Sequence, residues 1–103
     1  MLTQQNAIDI SKKFIKDLKD SGLNIRKAYL FGSFLENRQN EYSDIDLAIV
    51  ADEFIGVGPV DLKLFLSILR NYRTIHAKTY SSDDIKEREP FLEEIMRLGK
   101  EIN

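Results

Sequence analysis

Residues 44–50 read DIDLAIV, and from Leu47 onward every position is apolar. A strand exposed on one face alternates apolar with polar residues, because successive side chains point to opposite faces. A run that is apolar at every position belongs instead to a central strand covered on both sides. This feature calls for a sheet flanked by helices. It also makes the start of the run odd, since Asp44 and Asp46 place two charges where such a strand has no use for them. Ten residues separate Asp44 from a Gly32-Ser33 pair that closes a second apolar stretch, AYLF.

The rest of the chain supplies the cover. Ala7, Ile8, Phe14, Ile15 and Leu18 fall at helical spacing, with Lys12, Lys13, Lys16 and Lys19 on a solvated face. Thr3 or Asn6 caps this helix and Gly22 ends it. Residues 25–31 form the first strand. Gly32-Ser33 then turns the chain, residues 34–37 make a short helical turn, and residues 38–42 form a polar loop. The second strand covers residues 44–50. Gly56-Val57-Gly58 is too short for a phosphate-binding glycine fingerprint and reads as a turn. It leads into a helix begun by Pro59, with Val60, Leu62, Leu64, Phe65, Leu66, Ile68 and Leu69 largely buried. A third strand runs over residues 73–80, and Ser81-Ser82-Asp83-Asp84 caps a helix. Pro90 begins the last helix, with Phe91, Leu92, Ile95 and Leu98 inward and Gly99 as its stop. The order helix, strand, strand, helix, strand, helix specifies one small α/β domain over residues 1–103. Its sheet has about three or four strands, covered by helices.

Bulk properties narrow the function. The 103 residues suffice for one core. Hydrophobic residues make up 43% and charged residues 31%, the balance of a globular chain. Fifteen basic against 17 acidic residues leave a net charge of −2, which argues against non-specific nucleic-acid binding. No apolar run approaches the roughly 20 residues of a membrane helix, and the start MLTQQNAIDI is not a signal peptide. Without cysteine there are no disulfides and no thiolate metal sites. A cytoplasmic location is the default expectation.

Within one strand, Asp44 and Asp46 would point the same way, with Cβ atoms about 6 to 7 Å apart. Unpaired, they repel each other, and burying them costs free energy. A hard divalent ion offsets that cost. Mg²⁺ is commonly held by one or two carboxylates together with substrate phosphates. Gly32 allows the backbone to approach a ligand closely, and the Ser33 hydroxyl with nearby N–H groups is suited to phosphate oxygens. Taken singly, an Asp-x-Asp at a strand mouth is more often solvated structure, and a Gly-Ser more often a plain turn. Paired at this spacing, they mark a metal–polyphosphate site.

Gly32-Ser33, ten intervening residues and Asp44-Ile45-Asp46, in the context YLFGSFLENRQNEYSDIDLAIV, resemble the signature of the minimal nucleotidyltransferases. These are small relatives of the DNA polymerase β catalytic domain. The distal segment SSDDIKEREPFLEEIMRLGKEI also resembles the C-terminal part of such proteins. The resemblance implies a mixed sheet flanked by helices and a reaction that moves a nucleoside monophosphate from an NTP, with ATP expected, to an acceptor hydroxyl. It implies that Asp44 and Asp46 are catalytic and bind Mg²⁺, two ions in all, and that Gly32 and Ser33 bind the nucleotide. It further implies an antitoxin role beside a HEPN-domain partner, some antitoxins of this kind adenylylating a tyrosine of the partner toxin.

One departure stands out. Family members usually supply a third carboxylate from the next strand, but here that stretch reads NYRTIHAKTY, and no Asp or Glu lies between Asp61 and Asp83. Aligned back from the distal segment, the missing acid falls near Tyr72. His76 is a substitute base or an ordinary strand histidine. Asp83 and Asp84 are better explained as caps. Arg38 and Lys78 either meet phosphate or point to solvent, and nothing singles out one of Tyr29, Tyr42, Tyr72 and Tyr80 as a modification target. Two functions compete: an Mg²⁺-dependent transferase acting on a partner protein, and a binding module with a weakened nucleotide site that neutralises a HEPN-type partner by contact.

Overall fold

The computed structural model describes residues 3–34 and 44–103. Helix α1 spans Gln4–Asp20, and the sheet begins with β1 at Ile25–Phe31 and β2 at Ile45–Ala51. Two short helices follow, α2 at Gly58–Leu62 and α3 at Leu66–Leu69, then β3 at Ile75–Ser81. Helices α4 (Ser82–Lys86) and α5 (Pro90–Leu98) precede a two-residue strand, β4, at Lys100–Glu101. The sheet order is β3-β2-β1-β4, with β2–β3 parallel and the other two pairs antiparallel. This is the mixed, helix-flanked α+β sheet expected.

Strand β2 is central and covered on both sides. Ile45, Leu47, Ile49 and Ala51 share a core with Ala7, Phe14, Ile15 and Leu18 of α1. Ala48 and Val50 face the other way, against Leu92 and Ile95 of α5. Each buried Leu or Ile contributes about 1.5–3 kcal/mol relative to exposure, so the sheet is held from both faces. Thr3 caps α1, and Asn6 completes a reciprocal capping box with it. Lys12, Lys13, Lys16 and Lys19 are exposed, as the periodicity requires.

Several expectations change. The second strand starts at Ile45, leaving Asp44 outside it, and the third runs over Ile75–Ser81. The single helix from Pro59 is two helices. Phe65, between them, turns into the core at 1% exposure and packs against Phe14 and Phe54, with ring centroids 6.2 and 5.6 Å away. Seven apolar residues around one short helix cannot all face one core, so the break buries Phe65 and leaves Val60, Leu64 and Leu66 exposed. In α5 only Leu92 and Ile95 are buried, one turn apart, while Phe91 and Leu98 are exposed. Strand β4 escaped the sequence reading because two polar residues carry no period. Gly99 makes its pairing possible, since a Cβ there would lie 2.5 Å from the Ile95 carbonyl and 2.9 Å from that of Leu30. Of the expected turn at residues 34–37, only the buried Phe34 is described. The rest of it, the loop at 38–42, Arg38 and Tyr42 lie outside the described residues.

Candidate active site

Strand register builds the site. Phe31, the last residue of β1, is registered with Asp46 across the antiparallel pair, and His76 of β3 across the parallel pair. Asp46 thus stands at the mouth of the central strand with a turn on one flank and an imidazole on the other. It shares the sheet face of Ala48 and Val50, yet its side chain remains 27% exposed.

On the β1 flank, Gly32 has φ +79°, and a Cβ there would lie 2.3 Å from Asp46 Oδ2. Only glycine permits both the left-handed backbone and this approach to the carboxylate. Ser33 follows it, partly exposed. On the β3 flank, His76 Nδ1 lies 3.3 Å from Asp46 Oδ1, with the ring open to solvent. Asp44 is exposed and precedes β2, so strand alternation does not align it with Asp46. The structure therefore brings together the Gly32 backbone, Asp46 and His76, with Ser33 next in sequence, and leaves Asp44 in solvent beside them.

Among the described residues, no group of three or more His, Asp or Glu side chains forms a ready metal cluster. The cradle between Gly32 and His76, with Asp44 two residues from Asp46, suits a single Mg²⁺ whose other ligands are water and substrate phosphate. Across the parallel pair, the residue opposite Asp46 is His76, which offers an imidazole nitrogen and no carboxylate oxygen.

That place opposite Asp46 falls on His76, not near Tyr72. Tyr72 precedes β3, rests 5.1 Å from the Phe14 ring and donates its hydroxyl to Asp17. Burial, with the Asp17 hydrogen bond, pushes its hydroxyl up to about 12. Asp84 is a cap: its carboxylate accepts from Ser81 N at 2.8 Å while Ser81 Oγ accepts from Asp84 N at 3.2 Å. Asp83 is exposed in the same helical turn.

Two features had no sequence reading. Asp61, 1% exposed, accepts from the main-chain N–H groups of Ile55 and Gly56, each at 2.9 Å, and from Thr79 Oγ1 at 2.8 Å. An acid within an apolar helical run gives no hint of that role. Beside the site, a cavity of about 600 Å³ is lined by His76, Lys78 and Tyr80 of β3 with Phe91, Asp84 and Glu89. Alternation along β3 does not mark it, since Ala77 and Thr79 line it as well. Lys78 Nζ lies 4.3 Å from the Phe91 ring centroid, a cation–π contact.

Residues 12–103 match the family described as Polymerase beta, Nucleotidyltransferase. Comparison with curated proteins gives no match. Among solved structures, the chain resembles a protein from Sulfolobus solfataricus assigned to the nucleotidyltransferases, with TM-score 0.64 and 18% identity over 82% of this chain and 75% of that one. It also resembles a toxin-antitoxin solved with AMP-PNP, with TM-score 0.59 and 19% identity over 89% of this chain and 72% of the other. At these identities the structural likeness speaks to the fold.

Proposed function

The chain belongs to the polymerase β nucleotidyltransferase family, and on that premise we propose that it transfers AMP from ATP to a hydroxyl of a partner protein. The observation that carries the reading is the Asp46 carboxylate, held against the Gly32 backbone on one side and His76 on the other. In this reading Gly32 and Ser33 bind the triphosphate, and Asp44 and Asp46 hold one Mg²⁺. When bound, the ion neutralises charge on the phosphoryl oxygens and the departing pyrophosphate. The acceptor oxygen bonds to the α-phosphorus, and the bond from that phosphorus to the α–β bridging oxygen breaks. Its electron pair leaves with pyrophosphate, and the acceptor's proton is taken up by the His76 imidazole. The chain's contribution is placement and fixed charge.

The choice of ATP and of a protein acceptor draws support from the AMP-PNP and the toxin-antitoxin assembly of the structural neighbour. A HEPN-domain toxin is the partner that the sequence resemblance favours. The test is incubation with α-labelled ATP, Mg²⁺ and such a partner, followed by mass analysis of the partner. Label should appear with wild type and vanish with Asp46→Asn. A folded wild type that binds Mg²⁺·AMP-PNP yet labels nothing would sink the transfer.

A second reading is favoured by His76 itself. With an imidazole in place of the third carboxylate, the protein is a nucleotide-binding module that neutralises its partner by contact. It requires that Asp46→Asn still neutralise the partner, so loss of neutralisation by this folded variant excludes it.

A further inference from the structure

Strand β3 is the outer strand of the sheet on the side away from β1. Residues 76–80, from both faces of the strand, line the same 600 Å³ cavity. A hollow that touches successive residues follows a strand's edge, since a hollow over one face would meet only alternate residues. Among the described residues, no main-chain group from 76 to 80 pairs with anything except β2. Tyr80, which lines the cavity, is 5% exposed, and its buried hydroxyl has no hydrogen-bond partner among the described residues. Burial, together with the charges of Glu89 and Asp84, holds that phenol well above its ordinary range, so it is a neutral donor awaiting an acceptor. Phe91, 54% exposed, presents its ring at the cavity under Lys78.

Two properties select the occupant. Among the described residues, the charged lining has one cation, Lys78, and two carboxylates, Asp84 and Glu89, which disfavours a polyphosphate and suits a neutral or basic chain. Position agrees with this. The Gly32-Ser33 turn and the cavity lie on opposite sides of β2. Entering and leaving oxygens stand roughly in line at the transferred phosphorus, so pyrophosphate departing beside Ser33 requires an acceptor entering from β3.

We propose that the open edge of β3 binds the acceptor as an extended, neutral or basic polypeptide segment added to the sheet. Its main chain pairs with residues 76–78, the accessible part of that edge, one carbonyl reaches in to accept the Tyr80 hydroxyl, and an apolar side chain rests on Phe91. The segment's hydroxyl is thereby delivered to the His76 end, beside Asp46. This rests on the nucleotidyl-transfer reading and names the form in which its substrate binds.

The probe is a pool of synthetic dodecapeptides, each with one central Ser, Thr or Tyr among randomised neutral and basic residues. Peptides retained by the immobilised protein are added back with Mg²⁺·AMP-PNP, and amide hydrogen exchange is followed by residue. Retained peptides should slow exchange in β3 and leave β4 unchanged. Tyr80→Phe should weaken retention about fivefold, the worth of one neutral hydrogen bond, and Phe91→Ala should weaken it as well. Mg²⁺·AMP-PNP binding should hold in both variants. Protection elsewhere, retention indifferent to both substitutions, or no retained peptide while AMP-PNP binds would overturn the proposal. Peptide protection of β3 without any AMP-PNP binding would uphold the edge and strike the transfer reading alone.

Discussion

The two ends of β2 treat their acids in opposite ways. At the far end, Asp52 accepts from Arg26 Nε at 2.8 Å and from Ser82 Oγ at 2.7 Å. The next residue, Glu53, accepts from Asn24 N at 2.8 Å and Asn24 Nδ2 at 2.7 Å. These hydrogen bonds hold both carboxyls below their ordinary range, Asp52 at about 2. At the near end, Asp46 has only His76, at 3.3 Å, among the described residues, and its other flank is bare backbone. Acids that arrive with donors close a fold, whereas in the transfer reading an acid held against a glycine, with one weak partner among the described residues, is kept for a ligand. The contrast sets well-partnered carboxylates just beyond one end of β2 against a sparsely partnered one at the other, and substitutions at each end can break it.

The largest effect belongs to the near end. Asp46→Asn should lower transfer by about a thousandfold or more, as expected when the charge facing a phosphoryl centre is removed. Its melting temperature should match or exceed that of wild type, because no strong native partner is lost. Labelling and thermal unfolding of the same sample check this. An unfolded variant would mean that Asp46 is a structural acid like Asp52. Asp61 is the opposite case, a buried acid with three donors. Asp61→Ala should cost about 3 kcal/mol in urea unfolding by orphaning those donors. The folded fraction should still bind Mg²⁺·AMP-PNP, and a selective loss of nucleotide would move Asp61 into the site.

How much of this was readable follows from where the signal lies. The sandwich was legible because Leu47, Ala48, Ile49 and Val50 leave β2 no face for water, and the two strands flanking the Gly-Ser turn carried the register of Asp46. The Pro59 helix was misread because a pattern apolar all round does not show where a chain will break, and Phe65 breaks it. Residue 76 was ambiguous for a different reason. Which residue of β3 stands opposite Asp46 is fixed by strand pairing over thirty positions, and no local pattern records that. The burial of Tyr80 and the exposure of Phe91 were invisible for the same reason, since tertiary packing sets both.

The imidazole allows the contrast to be sharpened. Exchanging it for an oxygen donor should make the near end a fuller metal site. His76→Asp should bind Mn²⁺, read by electron paramagnetic resonance, about tenfold more tightly than wild type. In the transfer reading, labelling should rise with it. An unchanged affinity would mean that residue 76 does not face the ion, and the register argument for the missing carboxylate would fall.

The smallest effect is the pH response of the far end. The Asp52 carboxyl sits at about 2 in the folded chain, below its ordinary 3.8, because Arg26 and then Ser82 hydrogen-bond its charged form. A lowered folded value means that the unfolded chain takes up the proton first as pH falls. The Asp52 contribution is therefore complete above about 3.8 and declines as pH drops through about 2. Because the pair is solvent-exposed, the amplitude is small and shrinks further in salt. Asp52→Asn should lie below wild type in urea midpoint at neutral pH and converge with it in acid. Lines that stay parallel across that window would show that Arg26 and Ser82 hold the residue by geometry without favouring its charge. The far end would then differ from the near end in packing alone.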